Sequence, residues 1–272
     1  MFRNLKAVVR SGAFVTVAAS PLLLAACQTT APIAEPPPLR YSGAVNWYPD
    51  AVQLSYKPVK SIRFASAMTM DATSGRETLN QELTFEGDFG CNNYGNDLLC
   101  RVNVARIFGT ENGEYQSLDL AGRLASEVIM DRYGRSRAAR IVDNPHIKRD
   151  ALEKMNDAMQ SMHDRMFIEY PVAGLRVGDK LIMANNKTVS GAGGKPFTYS
   201  YEGTVRGKSS YQGREVIVID LNGTYRQGSI SAHLKGYGLI DASSGFFANQ
   251  ELQSYVREGG NTGLLKLSTS ID

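Results

Sequence analysis

Three histidines, three cysteines and one glycine cluster are the residues of this chain whose types and spacing invite a chemical reading. His146, His163 and His233 form no His-x-x-x-His or His-Glu-x-x-His arrangement, so none has the spacing that puts two ligands on one metal ion. No Gly-x-Ser-x-Gly elbow occurs and no Ser-x-x-Lys is followed by its companion motifs, which removes the usual routes to an activated serine. His233 stands between Ala232 and Leu234 in an alternating stretch and reads as a solvated strand residue. Gly191-Ala192-Gly193-Gly194-Lys195 resembles a phosphate loop only superficially. It lacks the first glycine, and Pro196 stands where a serine or threonine hydroxyl would hold magnesium. It reads as a hairpin loop. Neither a metal nor a cofactor is expected.

Cys27 has a different chemistry. Arg3, Lys6 and Arg10 make a cationic start, residues 13–26 are mostly apolar, and small residues precede the cysteine, which is the layout of an export signal over residues 1–26. Roughly 20 apolar residues are needed to span a bilayer, and Ser11, Gly12, Ser20 and Pro21 break this stretch. Leu24-Ala25-Ala26-Cys27 resembles the lipobox of bacterial lipoproteins. The resemblance implies cleavage before Cys27 and acylation of its sulfur and new amino terminus, with acyl chains as the contact to the membrane. An ordinary secreted chain cut after Ala26 is the alternative. Gln28, in place of aspartate, implies by the same resemblance an outer-membrane location with the domain facing the periplasm.

Removing the signal changes two totals. The chain carries 30 Lys+Arg against 27 Asp+Glu, and loss of Arg3, Lys6 and Arg10 leaves 27 against 27. The apparent basicity therefore belongs to targeting and supports no nucleic-acid partner, which would need clustered cations in the folded part. Acylation of Cys27 also leaves Cys91 and Cys100 as an even pair in an exported chain, the setting in which disulfides form. Between them Asn92-Asn93-Tyr94-Gly95-Asn96-Asp97 is dense in turn formers that can fold the two sulfurs together. A redox-active pair normally has the tighter Cys-x-x-Cys spacing.

The elements that must position these residues follow from hydrophobic period. Residues 27–40, centred on Pro36-Pro37-Pro38, cannot bury a core and read as an extended tether. Residues 41–272 read as one β-rich domain. In 79–89 the odd positions are Leu79, Gln81, Leu83, Phe85, Gly87 and Phe89 while the even ones are polar, the alternation of a half-buried antiparallel strand. Ile62, Phe64, Met68 and Met70 alternate likewise, and Leu98, Cys100, Val102 and Val104 share a face. Further strands are expected over 127–130, 135–142, 180–185, 197–206, 215–221, 229–240, 246–256 and 263–270, with short glycine-bearing connections that suit hairpins. One segment departs from period two. Asn144 can cap and Pro145 can open a helix over 145–167, with Ile147, Ala151, Met155, Met159, Met162 and Met166 recurring every three or four residues. The expected fold is mainly β, in the α+β class: a large curved antiparallel sheet or half-barrel with one long amphipathic helix packed against it.

Two phrases carry a second resemblance. Tyr170-Pro171-Val172 with Val177-Gly178-Asp179-Lys180, and Gly236-Tyr237-Gly238-Leu239-Ile240-Asp241 with Ser244-Gly245, resemble phrases in β-rich bacterial envelope lipoproteins, where the first opens a strand and the second joins two late ones. The architecture also resembles the carriers and receptors that move lipoproteins between bacterial membranes. Neither resemblance supplies a catalytic residue. Three readings follow. The first is a non-enzymatic envelope lipoprotein that binds an apolar ligand or lipid against the curved sheet, with Met155, Met159, Met162 and Met166 at the site, methionine being suited to varied apolar partners. The second is a structural or assembly partner of an outer-membrane protein complex, and the third an enzyme with a dispersed site.

Overall fold

A computed structural model describes residues 35–74, 77–111, 113–142, 167–190, 196–228, 230–258 and 261–271. Among the described residues eleven strands form a single antiparallel sheet: β1 (Val59–Ser74), β2 (Glu77–Tyr94), β3 (Asp97–Glu111), β4 (Glu114–Met130), β5 (Ser136–Ile141), β6 (Lys180–Ser190), β7 (Pro196–Tyr211), β8 (Arg214–Gln227), β9 (Ile230–Asp241), β10 (Phe247–Glu258) and β11 (Asn261–Ile271). Their order is β5-β4-β3-β2-β1-β11-β10-β9-β8-β7-β6, so two meanders are joined where the first strand pairs with the last. Met68 of β1 lies opposite Leu267 across that junction and opposite Leu83 of β2 on its other side. The sheet is open, with β5 and β6 at its edges. Each expected strand is present, and several run well beyond the expected bounds, β4 beginning at Glu114 rather than near 127.

The alternation has its expected consequence, interrupted on β3, as on several other strands, by a shift of register. Leu98, Cys100 and Val102 on β3 are buried, and then Ile107 is buried although its number is odd. The pairing of β2 with β3 shifts between Glu86–Arg106 and Gly87–Val104, where Ala105 is one extra residue on β3 that inverts the faces, as a β-bulge does. The opposite face of β2 to β5 is charged. Arg106 meets Glu86 at 2.8 Å, and Glu127 faces both Arg101 at 3.8 Å and Arg140 at 2.8 Å.

The sheet curls around its apolar face. Phe89 of β2, Cys100 of β3, Val128 of β4, Met183 of β6, Tyr199 of β7, Ile219 of β8 and Leu252 of β10 belong to one buried cluster, although the order of strands separates them widely. Ile217, Ile219 and Leu221 of β8 point into that core, whereas Val216 and Val218 point outward into a second cluster with Tyr237, Leu239 and Ala248.

The outer cluster is covered by the segment before β1. Tyr41 packs on Tyr237 with ring centroids 5.5 Å apart, and Val45 lies in the same cluster. Asn46 pairs with Lys208 on the line of β6 extended past its start. Of the stretch read as a tether, Glu35 onward is described. Glu35 forms an ion pair with Lys235 at 3.0 Å, which holds its carboxyl below the usual range, and Gln253 donates to the Pro37 carbonyl at 3.3 Å. The helix expected over 145–167, with Met155, Met159, Met162 and Met166, lies outside the described residues except for Phe167, which occupies a bend. Cys27, the signal segment and the loop Gly191 to Lys195 lie outside them as well.

Candidate functional site: the inner face of the curled sheet

The first requirement for an inner face is a closed end. Four connections and the entry to β1 meet at the end of the sheet marked by Tyr94, Met130, Tyr211 and Asp241, and an aromatic plug packs there. Tyr56 lies 4.8 Å from Phe246, 5.1 Å from Tyr170 and 5.9 Å from Phe167 between ring centroids, and Phe89 lies 4.9 Å from Phe246. Such tilted and edge-on pairs add to the burial of large rings. Polar ends of the rings are satisfied in place. The Ile168 amide donates to the Tyr56 hydroxyl at 2.8 Å, and the Tyr170 hydroxyl donates to the Gly245 carbonyl at 2.6 Å. Burial pushes both phenols far above the ordinary tyrosine range, so both stay neutral.

Local turn chemistry holds the plug. Asp131 accepts the amides of Tyr133 and Arg135 at 2.8 and 3.0 Å, which fixes the β4 to β5 turn. Gly134 in that turn has φ +89°, and a Cβ there would stand 2.2 Å from the Ile168 carbonyl oxygen, so glycine lets the two segments meet. Asp241 likewise accepts from the amides of Ser243 and Ser244 in the β9 to β10 turn. The two phrases singled out in the sequence thus touch, through Tyr170 and Gly245. In Val177-Gly178-Asp179-Lys180 the Asp179 carboxylate accepts from the Arg176 amide at 2.8 Å, and Lys180 opens β6.

Beyond the plug, Met183, Tyr199, Tyr201, Leu221 and Leu252 line the inner face, with Phe64, Leu234 and Leu267 packed against them. The wall thins at Gly238, where a Cβ would meet the Phe247 ring at 2.4 Å. Two neutral polar pairs interrupt the apolar lining. The Gln250 amide donates to the Tyr201 hydroxyl at 3.0 Å, and the hydroxyls of Ser66 and Thr269 are 3.0 Å apart. Thr269 pairs in register with both Gln250 and Ser66, so the two pairs adjoin on one row. This lining is apolar apart from neutral hydroxyl and amide groups, and its side chains are buried together in one cluster. Among the described residues no three His, Cys, Asp or Glu side chains gather as a metal site would require.

Cys91 and Cys100 are directly opposed on β2 and β3 and form a disulfide, with 4.0 Å between Cα atoms. Gly95, at φ +61°, turns the hairpin between them. Both cysteines are fully buried in the main core, beside the plug and away from solvent. His233 is exposed on β9. The Tyr201–Gln250 contact and the plug were missed by the sequence reading. The abundance of tyrosine in the last third was the only signal of them, since pairing between distant strands leaves no mark on period.

The fold and site together define an open, curled antiparallel meander with one end closed by aromatic side chains. No protein family matches the chain, and no curated protein matches it. Among solved structures it is similar to engineered variants of Rh. blastica porin, two of which show 7% identity over 78% of this chain and 99% of theirs, at a TM-score of 0.26. A likeness of that size carries no argument about fold or function.

Proposed function

We propose that the chain is an outer-membrane lipoprotein, anchored through acyl groups on Cys27 with its domain facing the periplasm, and that it acts without catalysis by binding an apolar ligand such as an acyl chain. The observation that supports this most directly is the inner face, apolar from Tyr199 and Leu221 to Leu252 and Leu267, on a sheet that is plugged at one end and open between β5 and β6. Residues 143–166, which include Met155, Met159, Met162 and Met166, connect those two edge strands in the chain. Methionine side chains in that connection have the adaptable character that varied acyl chains require. Native mass spectrometry of gently purified protein tests the reading: retained lipid is expected, and a lipid-free chain that also fails to take up a fatty-acid probe would refute it.

A second reading has its own support. Among described residues Trp47 is 70% exposed and Ile182, on edge strand β6, is 61% exposed. An exposed edge with apolar side chains is suited to pairing with another protein. Crosslinking in intact envelopes would favour this reading if it captured one stoichiometric partner through Ile182 while the purified domain bound no lipid.

A further inference from the structure

From Glu35 onward the segment read as a tether lies on the outer face of the sheet, held at successive points. Glu35 pairs with Lys235 at 3.0 Å, and the Pro37 carbonyl accepts from Gln253 at 3.3 Å on the same row, since Lys235 and Gln253 are register partners. Tyr41 packs on Tyr237, and its hydroxyl donates to the Ser210 carbonyl at 3.4 Å. Ser209 donates to the Ala44 carbonyl at 2.6 Å, and Asn46 exchanges two backbone hydrogen bonds with Lys208, of 2.7 and 2.9 Å. Gly207 permits this approach, because a Cβ there would stand 2.5 Å from the Asn46 carbonyl oxygen. Lys235 and Gln253 lie in the middle of their strands, whereas Lys208 and Ser210 lie beside Tyr211 at the plugged end. The contacts thus advance along the strands toward the plug. Followed in reverse, the chain leaves Glu35 heading for the unplugged end.

Eight residues separate Cys27 from Glu35, a span of at most about 28 Å when fully extended. On β9, Lys235 stands about 17 Å from the strand end at Ile230, by the unplugged end, and about 20 Å from Asp241 at the plugged one. An anchor at Cys27 can therefore stand level with the unplugged end, or a little beyond it, by continuing in the direction the strap already takes. To stand beyond the plugged end the chain would have to reverse at Glu35 and run almost fully extended back along itself, past the outer surface that residues 41–46 already occupy. We propose that this strap sets the pose of the domain on the membrane, with the unplugged end and its hairpin turns against the phospholipid headgroups and the plugged end, with the exposed Trp47, Tyr94 and Val172, turned away from the bilayer. The pose rests on acylation of Cys27, as the function proposed above has it. Covalent reach alone confines the unplugged end, with no attraction between its side chains and lipid. Salt, which screens surface charge within a Debye length, should therefore leave the pose unchanged.

Trp47 is the only tryptophan of the chain, so the native protein carries its own fluorescent probe at the plugged end. Tyr115, exposed beside the Gly113 turn, marks the other end, a length of about 40 Å along the paired β3. The acylated chain is reconstituted in vesicles of phosphatidylethanolamine and phosphatidylcholine that carry a headgroup-dansylated lipid as energy acceptor. Weak transfer is expected from Trp47, and severalfold stronger transfer from a chain with Trp47→Phe and Tyr115→Trp, at low and at high salt and with or without phosphatidylglycerol. Glu35→Gln with Tyr41→Ser, placed in both probe backgrounds, loosens the strap as far as Ala44, roughly doubles the span, and should bring the two transfers together. Circular dichroism confirms that each variant folds. Equal transfer from the two ends with the strap intact, stronger transfer from Trp47, a contrast that salt abolishes, or one that survives loosening of the strap would overturn the proposal. The mass of the mature chain and its flotation with vesicles report the anchor separately. An unacylated chain that fails to float overturns the anchor and the pose with it, whereas an acylated chain without the contrast overturns the pose alone.

Discussion

The Gln250 side chain on β10 donates a 3.0 Å hydrogen bond to the Tyr201 hydroxyl on β7, although β9 and β8 lie between them. Three strand spacings in a flat sheet amount to about 14 Å. The bond thus spans the concave side of the curl and ties its two walls together. Replacing Gln250 by Leu leaves the Tyr201 hydroxyl without this donor and should cost about 1–2 kcal/mol, a typical loss when one partner of a buried pair is removed. Gln250→Leu combined with Tyr201→Phe should cost less than the sum of the single changes. A double-mutant cycle by denaturant unfolding checks this, and strict additivity would show that the pair is not coupled.

Alkaline pH should open the plugged end. Tyr56 and Tyr170 are raised by burial above an unfolded value near 10, so their contribution is fully present below about pH 10 and is lost as pH rises from there toward the folded values. Above about pH 10 each group should lower stability by about 1.4 kcal/mol per pH unit, because the folded state holds a proton that the unfolded state has released. Urea midpoints from about pH 8 to about pH 11 measure the slope, to which Tyr237 and Tyr48, also raised by burial, add, and Tyr170→Phe should remove one tyrosine's share of it.

The hairpin disulfide should matter for stability and not for ligand binding. Closing a loop of about ten residues is worth at most about 2.5–3 kcal/mol in the chain-entropy model. Cys91→Ser with Cys100→Ser should therefore lower the unfolding free energy by up to that amount, while lipid retention by the folded fraction stays unchanged. A selective loss of lipid at unchanged stability would contradict the structural role.

Two turn glycines make an internal comparison. Gly134 and Gly213 both have positive φ, +89° and +75°, but a side chain at Gly134 would collide with the Ile168 carbonyl and the Tyr56 ring, whereas nothing lies within 4 Å of Gly213. Gly213→Ala should cost about 1 kcal/mol for backbone strain alone. Gly134→Ala should cost several times as much, because the plug must move as well. Thermal melts of the two variants side by side provide the check.

Much of the fold was legible because period two is a local property. Leu79 to Phe89 alternate because one face of β2 is apolar, and the turn formers between Cys91 and Cys100 place the cysteines opposite each other whatever the rest of the chain does. The limits of that reading are also physical. The bulge near Ala105 inverts the buried face of β3 without any break in composition, so Ile107 is buried where simple alternation would expose it. Strand ends such as those of β4 depend on pairing with neighbours, and a partner can extend a strand through residues of weak pattern, as Glu114 to Ser126 show. Outward residues of β8 are buried because residues 41–45 lie on them, a contact across most of the sequence.

By itself, then, the amino-acid order determined the antiparallel meander, the cysteine pair and the turns, since each rests on residues near one another in the chain. Only the tertiary structure decided that β1 joins β11, that Tyr56, Phe89, Tyr170 and Phe246 close one end, that Gln250 reaches Tyr201, and that Glu35 lies on Lys235. Those contacts are set by curvature and by which side chains fill the same volume. Neither leaves a period to read.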